Sequence, residues 1–118
     1  MNKWIQEVQE WNETRDNLDY NCIREVGMLK EELVELEDAW TDEDIVAQAD
    51  ALADLLVVAT GGLYKLTGGD MYKFNDIMVA VTAANNTKSD TKDVNGKITK
   101  PKNFVGPESM IKAILDGR

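Results

Sequence analysis

The chain has few of the residues on which many enzyme active sites depend: it contains no histidine, one cysteine and two prolines among 118 residues. Without histidine it cannot form a Ser-His-Asp or Cys-His catalytic site, an HExxH zinc site, or a haem or di-iron site of the usual histidine-containing kind. The single cysteine, Cys22, excludes an intrachain disulfide and a metal site built from several cysteines. Enzyme chemistry is therefore left mainly to carboxylates, lysines and bound metal ions.

The chain is also poor in positive charge, with 13 Lys and Arg against 22 Asp and Glu and a formal net charge of -9. This balance argues against a nucleic-acid backbone or an anionic membrane surface as a partner. No apolar leader follows Met1, and Asp50, Asp54 and Lys65 interrupt the longest apolar region, so we expect no membrane span. We therefore expect a cytoplasmic protein.

Hydrophobic periodicity predicts an all-α protein: an antiparallel four-helix bundle with an irregular C-terminal arm and a short final helix. The four helices are predicted at about 3–16, 20–40, 41–67 and from 70 onward. We interpret residues 1–118 as one domain, with a helical core at about 3–88 and a lysine-bearing arm at about 89–118.

The first two helices each carry an apolar stripe that predicts their core-facing side. In the first helix the stripe consists of Trp4, Val8 and Trp11. In the second helix it consists of Cys22, Val26, Leu29, Leu33, Leu36 and Trp40. The third helix is apolar nearly all round, which is typical of a helix buried on most sides.

Acidic residues break the apolar pattern of the second and third helices. Glu32 and Glu35 share one flank of the second helix, whereas Glu31 points away from the core stripe. Asp50 and Asp54 lie four apart in the third helix, where burying unpaired carboxylates is costly. An antiparallel packing brings both pairs to the same depth, and their oxygens suit Mg²⁺ or Mn²⁺. Each pair alone also fits a solvated face or a tolerated charge.

The end of the fourth helix carries polar residues where its apolar stripe would continue. Asn85 and Lys88 follow Val81 by four and seven residues. An amide and an ammonium at this position suit contacts with a phosphate or a base. The alternative is that the helix simply leaves the core at this point.

Taken in order, these segments resemble the MazG-like, all-α nucleotide pyrophosphohydrolase superfamily, and within it the phosphoribosyl-ATP pyrophosphatase-like branch. The matching motifs are Glu31-Glu32-Leu33-Val34-Glu35, residues 50–56, Asn85-Asn86-Thr87-Lys88, Asn95-Gly96-Lys97 and Lys100-Pro101. The resemblance covers about residues 20–108. Many members carry a glutamate three residues before the aspartate of the second motif, where this chain has Ala51 and places its acid at Asp50.

The resemblance implies hydrolysis of a nucleoside triphosphate to the monophosphate and diphosphate, as part of nucleotide-pool house-cleaning. It implies Mg²⁺, with Mn²⁺ as a substitute, held by Glu32, Glu35, Asp50 and Asp54. The water would be oriented or deprotonated by Glu31 or by one of the ligating carboxylates. The implied substrate contacts are Asn85, Lys88, Lys97, Lys100 and Trp11. For Trp11, and for Trp40 as a second stacking candidate, core packing is the alternative.

The resemblance also implies a homodimer or a homotetramer, with which the broad apolar surface of the third helix agrees. Two other functions stay open from the sequence. The chain could be a phosphoribosyl-ATP pyrophosphatase, which shares the acidic motifs, or a non-enzymatic helical module whose acidic face binds a basic partner.

Overall fold

The computed structural model describes residues 2–117 and contains five helices in that range. They are α1 (Lys3–Thr14), α2 (Cys22–Thr41), α3 (Ile45–Leu66), α4 (Met71–Asn85) and α5 (Glu108–Leu115). Residues 2–117 contain no strand, and a single antiparallel bridge joins Lys92 to Ile98. The prediction of an all-α protein is confirmed.

The chain divides into two units, one that ends at Asp70 and one that begins at Met71. The first unit contains α1, α2 and α3, and the second contains α4, α5 and the segment between them. The single domain of residues 1–118 and the place of a fourth helix in one bundle stay predictions.

The ends of α2 and α3 follow from local chemistry. The Asn21 side chain accepts a hydrogen bond from the backbone N–H of Arg24, and Asp44 does the same for Ala47, so each caps its helix. Beyond α3, Gly68 and Gly69 adopt positive φ angles of 72° and 77°, which favour glycine and end the helix.

Helices α2 and α3 run antiparallel. Residues 42–44 form the whole connection between them. Residues of α2 and α3 that contact each other lie at similar numbers of residues from this connection. The Lys65 Nζ is 2.7 Å from the Glu25 Oε1, and Asp54 lies beside Glu32 nearer the turn. The antiparallel packing on which the acidic-site prediction depends is therefore present.

Two adjacent glycines in α3 allow close approach of both neighbouring helices. A Cβ at Gly61 would lie 3.2 Å from the Asn12 Nδ2 of α1, and a Cβ at Gly62 would lie 3.2 Å from the Glu25 Oε1 of α2. Without these side chains, polar groups of α1 and α2 pack directly against the α3 backbone.

The predicted core stripes of α1 and α2 are only partly correct. In α1, Gln9 and Asn12 are buried, whereas Trp4 and Trp11 are exposed. The best-covered residues of α2 are Glu25, Met28, Leu29, Glu32, Leu36 and Ala39. Cys22, Val26, Leu33 and Trp40 of the predicted stripe are exposed. The faces of α1 and α2 that are buried in this chain therefore include more polar residues than the predicted apolar stripes.

Helix α3 is long and apolar enough to cross a membrane, judged by length and composition alone. The core helix of a soluble protein meets the same criteria. Only 22% of its most apolar 18-residue window is buried within this chain. Most residues of this window are therefore half-buried or exposed.

Candidate functional site

Three carboxylates from α2 and α3 form a compact cluster. Glu32 and Glu35 come from α2 and Asp54 from α3, and one carboxylate oxygen of each lies within 4.8 Å of the others. Glu32 and Asp54 are half-buried and Glu35 is exposed, so the cluster opens to solvent on one side. The three-residue spacing on α2 and the short connection to α3 place these groups together.

The carboxylates perturb one another. A side-chain hydrogen bond with Glu35 raises the pKa of Glu32, and burial together with the charges of Glu35, Asp54 and Glu31 raises it further. The Glu32 Oε2 is buried and has no hydrogen-bond partner within residues 2–117. A buried carboxylate oxygen without a donor, surrounded by like charges, is a group that a cation would stabilise.

The donor set of this cluster fits a divalent metal ion. It offers oxygen ligands alone, which suit Mg²⁺ and Mn²⁺ better than softer metals. The open side of the cluster leaves room for water and substrate oxygens, which Mg²⁺ usually retains in its coordination shell.

The other predicted acids lie outside the cluster. Asp50 is exposed on α3, one turn before Asp54, and does not join the three carboxylates. Glu31 is exposed on α2, and its charge contributes to the raised pKa of Glu32. The structure therefore brings together three of the four predicted ligands. Their roles in metal binding and catalysis stay predictions.

The predicted phosphate-binding residues belong to the second unit. Asn85 ends α4 and is exposed, and Lys88 follows it and is half-buried. The Nζ atoms of Lys88 and Lys100 lie 5.9 and 5.3 Å from the ring centroid of Phe104. The structure thus brings Lys88 and Lys100 to one aromatic ring, which attracts cations.

Lys97 lies apart in the turn of residues 93–97, where its backbone N–H donates to the Asp93 Oδ1. The Gly96 φ of 78° and the hydrogen bond from its N–H to the Asp93 carbonyl fix this turn. The Lys97 side chain is exposed. Of the three predicted lysines, only Lys88 and Lys100 are placed beside the Phe104 ring.

A groove of about 480 Å³ lies within the first unit and contains Trp11, the predicted base-stacking residue. Its wall is formed by Trp4, Val8, Trp11, Met28, Val57, Val58 and Gly61. Trp4 and Trp11 are 41% and 53% exposed, and the Arg15 guanidinium lies 4.4 Å from the Trp11 ring centroid. Trp40 is 73% exposed and lines a separate pocket near the α2–α3 connection. Neither Trp11 nor Trp40 is a core residue within this chain.

The floor of the groove is polar, although the apolar stripes in the sequence predict an apolar core here. Asn12 and Lys65 line it, and Lys65 is held in a buried ion pair with Glu25. The only sequence signal was the presence of polar residues on otherwise apolar helix faces. Such a signal does not distinguish a buried polar group from a solvated one.

An all-α chain with an oxygen-only acidic cluster between two antiparallel helices has the features of an α-helical pyrophosphohydrolase. The family model described as phosphoribosyl-ATP pyrophosphohydrolase matches residues 4–68, and the chain belongs to this family. No curated protein and no solved structure matches the chain. The family match confirms the resemblance found in the sequence and identifies the protein as a hydrolase.

The matched residues contain the acidic cluster and the groove but end before α4. The family membership therefore applies to the first unit directly, and the lysines of the second unit lie outside it. Because the family consists of soluble enzymes, the apolar character of α3 fits a helix that packs against protein.

Proposed function

We propose that the chain is a Mg²⁺-dependent nucleoside triphosphate pyrophosphohydrolase that converts a (deoxy)nucleoside triphosphate and water to the monophosphate and diphosphate. It would act in the cytoplasm and remove unwanted nucleotides from the pool. The observation that carries this proposal is the cluster of Glu32, Glu35 and Asp54, in which the buried Glu32 Oε2 has no hydrogen-bond partner among residues 2–117. The family match supports the hydrolase class.

The reaction requires one P–O bond to form and one to break. The water oxygen bonds to phosphorus while the bridging oxygen of the α–β phosphoanhydride leaves with diphosphate. The water must lose a proton, and because the chain has no histidine a carboxylate is the natural acceptor. The candidates for this role are Glu31, which is exposed on α2 outside the cluster, and Glu32 and Glu35 within it.

Glu32, Glu35 and Asp54 are the proposed metal ligands, and Asp50 is the fourth ligand that the sequence suggests. When bound, Mg²⁺ neutralises charge on phosphate oxygens and lowers the pKa of a bound water. The short α2–α3 connection and the buried ion pair between Lys65 and Glu25 hold together the two helices that carry these oxygens.

The phosphate contacts are proposed for Asn85, Lys88, Lys97 and Lys100. The position of both the Lys88 and the Lys100 ammonium groups beside the Phe104 ring supports this, since two cations in one region attract an anion. Hydrogen bonds between ammonium and phosphate are charge-assisted and stronger than neutral ones.

Measuring diphosphate release from canonical, deoxy and modified triphosphates tests this function. We expect turnover with Mg²⁺ or Mn²⁺ and none with chelator, and we expect Asp54→Asn to abolish it. Asp38→Asn is the control, because Asp38 is an exposed acid of α2 outside the cluster, and Asp50→Asn tests whether Asp50 is a fourth ligand. Absence of turnover on every triphosphate would favour the acidic interaction module, and a loss in Asp50→Asn as large as in Asp54→Asn would add Asp50 to the ligands.

The family match favours a second candidate, hydrolysis of phosphoribosyl-ATP. This reaction needs the same acidic cluster and breaks the same kind of bond, so the cluster does not distinguish the two substrates. Including phosphoribosyl-ATP in the panel does. A kcat/KM for it that exceeds every simple triphosphate by at least about tenfold would select this candidate.

We further propose that the protein is a homodimer or a homotetramer. The exposed apolar residues of α2 and α3 support it, because a monomer rarely exposes a large apolar patch to water. Sedimentation analysis at micromolar concentration tests this. A stable, folded monomer would contradict the proposal.

A further inference from the structure

The groove begins one helical turn from the acidic cluster on two helices at once. Met28 precedes Glu32 by four residues on α2, and Val58 follows Asp54 by four residues on α3. At a rise of about 1.5 Å per residue, each groove residue lies about 6 Å along its helix from a carboxylate of the cluster. A nucleotide with its phosphates at the cluster would therefore have its base at the groove.

The groove wall suits a flat, aromatic ligand. Two exposed indole rings, from Trp4 and Trp11, face a wall of aliphatic side chains, and the volume of about 480 Å³ is in the range of small-molecule sites. Stacking on an aromatic ring stabilises a bound nucleic-acid base and tolerates any base. Stacking alone gives no selectivity.

Asn12 supplies a group that can distinguish one base from another. It lines the groove and is only 4% exposed. Its Nδ2 donates to the Val8 carbonyl oxygen at 2.9 Å, and its Oδ1 accepts from the Asn17 Nδ2 at 2.7 Å. An amide offers two N–H donors and two lone pairs, so one donor and one lone pair stay free. The remaining N–H donor and oxygen lone pair of Asn12 complement a base edge that presents an acceptor next to a donor.

The charges around the groove favour an uncharged ligand. The Lys65 Nζ is 2.7 Å from the Glu25 Oε1, and both side chains are almost fully buried, so this ammonium is already neutralised. The other charged residue in the groove, Glu7, is acidic. Among the lining residues a phosphate group would find no cation besides the paired Lys65, and the Arg15 guanidinium beside the groove lies against the Trp11 ring, 4.4 Å from its centroid. A neutral heterocycle fits this lining better.

We propose that this groove binds the base of the nucleotide substrate and that Asn12 determines which base is accepted. The inference rests on the proposed function for the place of the triphosphate. The binding of the base itself needs neither metal nor phosphate, so it is measurable separately.

The three tryptophans allow a direct binding test with the four common deoxynucleosides as probes. Trp40→Phe retains the two groove tryptophans, and the double variant Trp4→Phe, Trp11→Phe retains only Trp40. We expect nucleosides to quench the fluorescence of the first variant and not of the second. No quenching in the first variant, or equal quenching in both, would overturn the proposal.

Selectivity is tested by changing Asn12 in the Trp40→Phe background. Asn12→Ala is expected to weaken binding of the preferred nucleoside by about tenfold and the others by less, because one base-edge hydrogen bond is lost. Asn12→Asp keeps the size of the side chain and exchanges a donor for an acceptor, so it is expected to change the order of preference. Gln6→Ala, an exposed amide on α1, is the control.

If Asn12→Asp leaves the order of nucleoside affinities unchanged, Asn12 does not determine which base is accepted. This result is decisive even if Asn12→Ala fails to fold. The same variants are then compared in diphosphate release. If no triphosphate is hydrolysed but nucleosides quench the groove tryptophans, the proposed function fails and the groove assignment stands. If hydrolysis occurs with the wild-type base preference in every variant, the groove assignment fails and the function stands.

Discussion

The change Asp54→Asn separates a metal site from an ordinary acidic surface, because it is expected to stabilise the metal-free protein while it abolishes activity. Three carboxylate oxygens lie within 4.8 Å of one another, and the pKa of Glu32 is raised by its neighbours. Removing one charge relieves repulsion that a cation would otherwise balance. A surface acid without such neighbours gives almost no change in stability.

The magnitude follows from the separation of the charges. Two unit charges about 4.8 Å apart repel by about 3.5 kcal/mol at an effective dielectric constant of 20, and by about 0.9 kcal/mol in water. The cluster is partly open to solvent, so the lower part of this range applies, and we expect a gain of about 1 kcal/mol. For a chain of this size that gain raises the Tm by about 4 °C.

The assay is thermal unfolding of wild type, Asp54→Asn and Asp38→Asn, an exposed acid of α2 outside the cluster, each with chelator and with saturating Mg²⁺. Mg²⁺ is expected to raise the Tm of the wild type and of Asp38→Asn, because a ligand that binds the folded state stabilises it. The Tm of Asp54→Asn is expected to be higher in chelator and insensitive to Mg²⁺. A lower metal-free Tm for Asp54→Asn, or a full response to Mg²⁺, would refute the electrostatic argument.

Three further predictions concern the groove and the contacts around it. Lys65→Met removes the nearer of two cations from the buried Glu25 and leaves Arg24, whose Nε lies 3.6 Å from the Glu25 Oε2. We expect a loss of about 3 kcal/mol in urea unfolding, and a loss below about 1 kcal/mol would contradict a buried pair. Burial and a carboxylate partner raise the pKa of Tyr64 to about 12, above the unfolded value of 10.0. Its stabilising contribution is therefore complete below pH 10 and is lost as the pH rises to about 12. This loss, on the order of 2 kcal/mol, should be absent in Tyr64→Phe when chemical unfolding is compared across that range. Gly61→Val places a side chain against Asn12 and should destabilise the fold by about 1–3 kcal/mol while it closes the groove to nucleosides.

The helices and the acidic cluster could be predicted because local rules determine them. The glycines after α3 and the acids before it fixed the ends of that helix within a few residues. The short connection then forces α2 and α3 to pack antiparallel, and Glu32 and Asp54 meet because they lie at similar distances from it. No knowledge of distant contacts was needed for this part of the site.

The place of Asp50 could not be predicted in the same way. Residues four apart on a helix share a side only to within about 40°, and α3 is apolar nearly all round, so its sequence does not say which side faces α2. The structure directs Asp54 to α2 and leaves Asp50 exposed. Which of the two aspartates faces α2 depends on how α3 packs against its neighbouring helices.

The inner face of α1 was mispredicted for a different reason. The apolar stripe of Trp4 and Trp11 suggested the core, yet Gln9 and Asn12 are the buried residues. Asn12 can be buried because its amide is paired with Val8 and with a neighbouring side chain, and because Gly61 lets it approach the α3 backbone. Hydrophobic periodicity carries no information about such hydrogen bonds.

The stripe predicted on α2 shows what apolar periodicity does measure. Val26, Leu33 and Trp40 recur with helical spacing but are exposed in the chain, and α3 is apolar on more sides than α1 and α2 cover. A soluble monomer that exposed these residues to water would tend to associate. A homo-oligomer that buries them would account for the pattern, and this is the physical ground for the proposed homodimer or homotetramer. On this argument, Leu33→Lys should dissociate the assembly in sedimentation while each chain keeps its helical content, and an unchanged sedimentation coefficient would show that this face of α2 is not the interface.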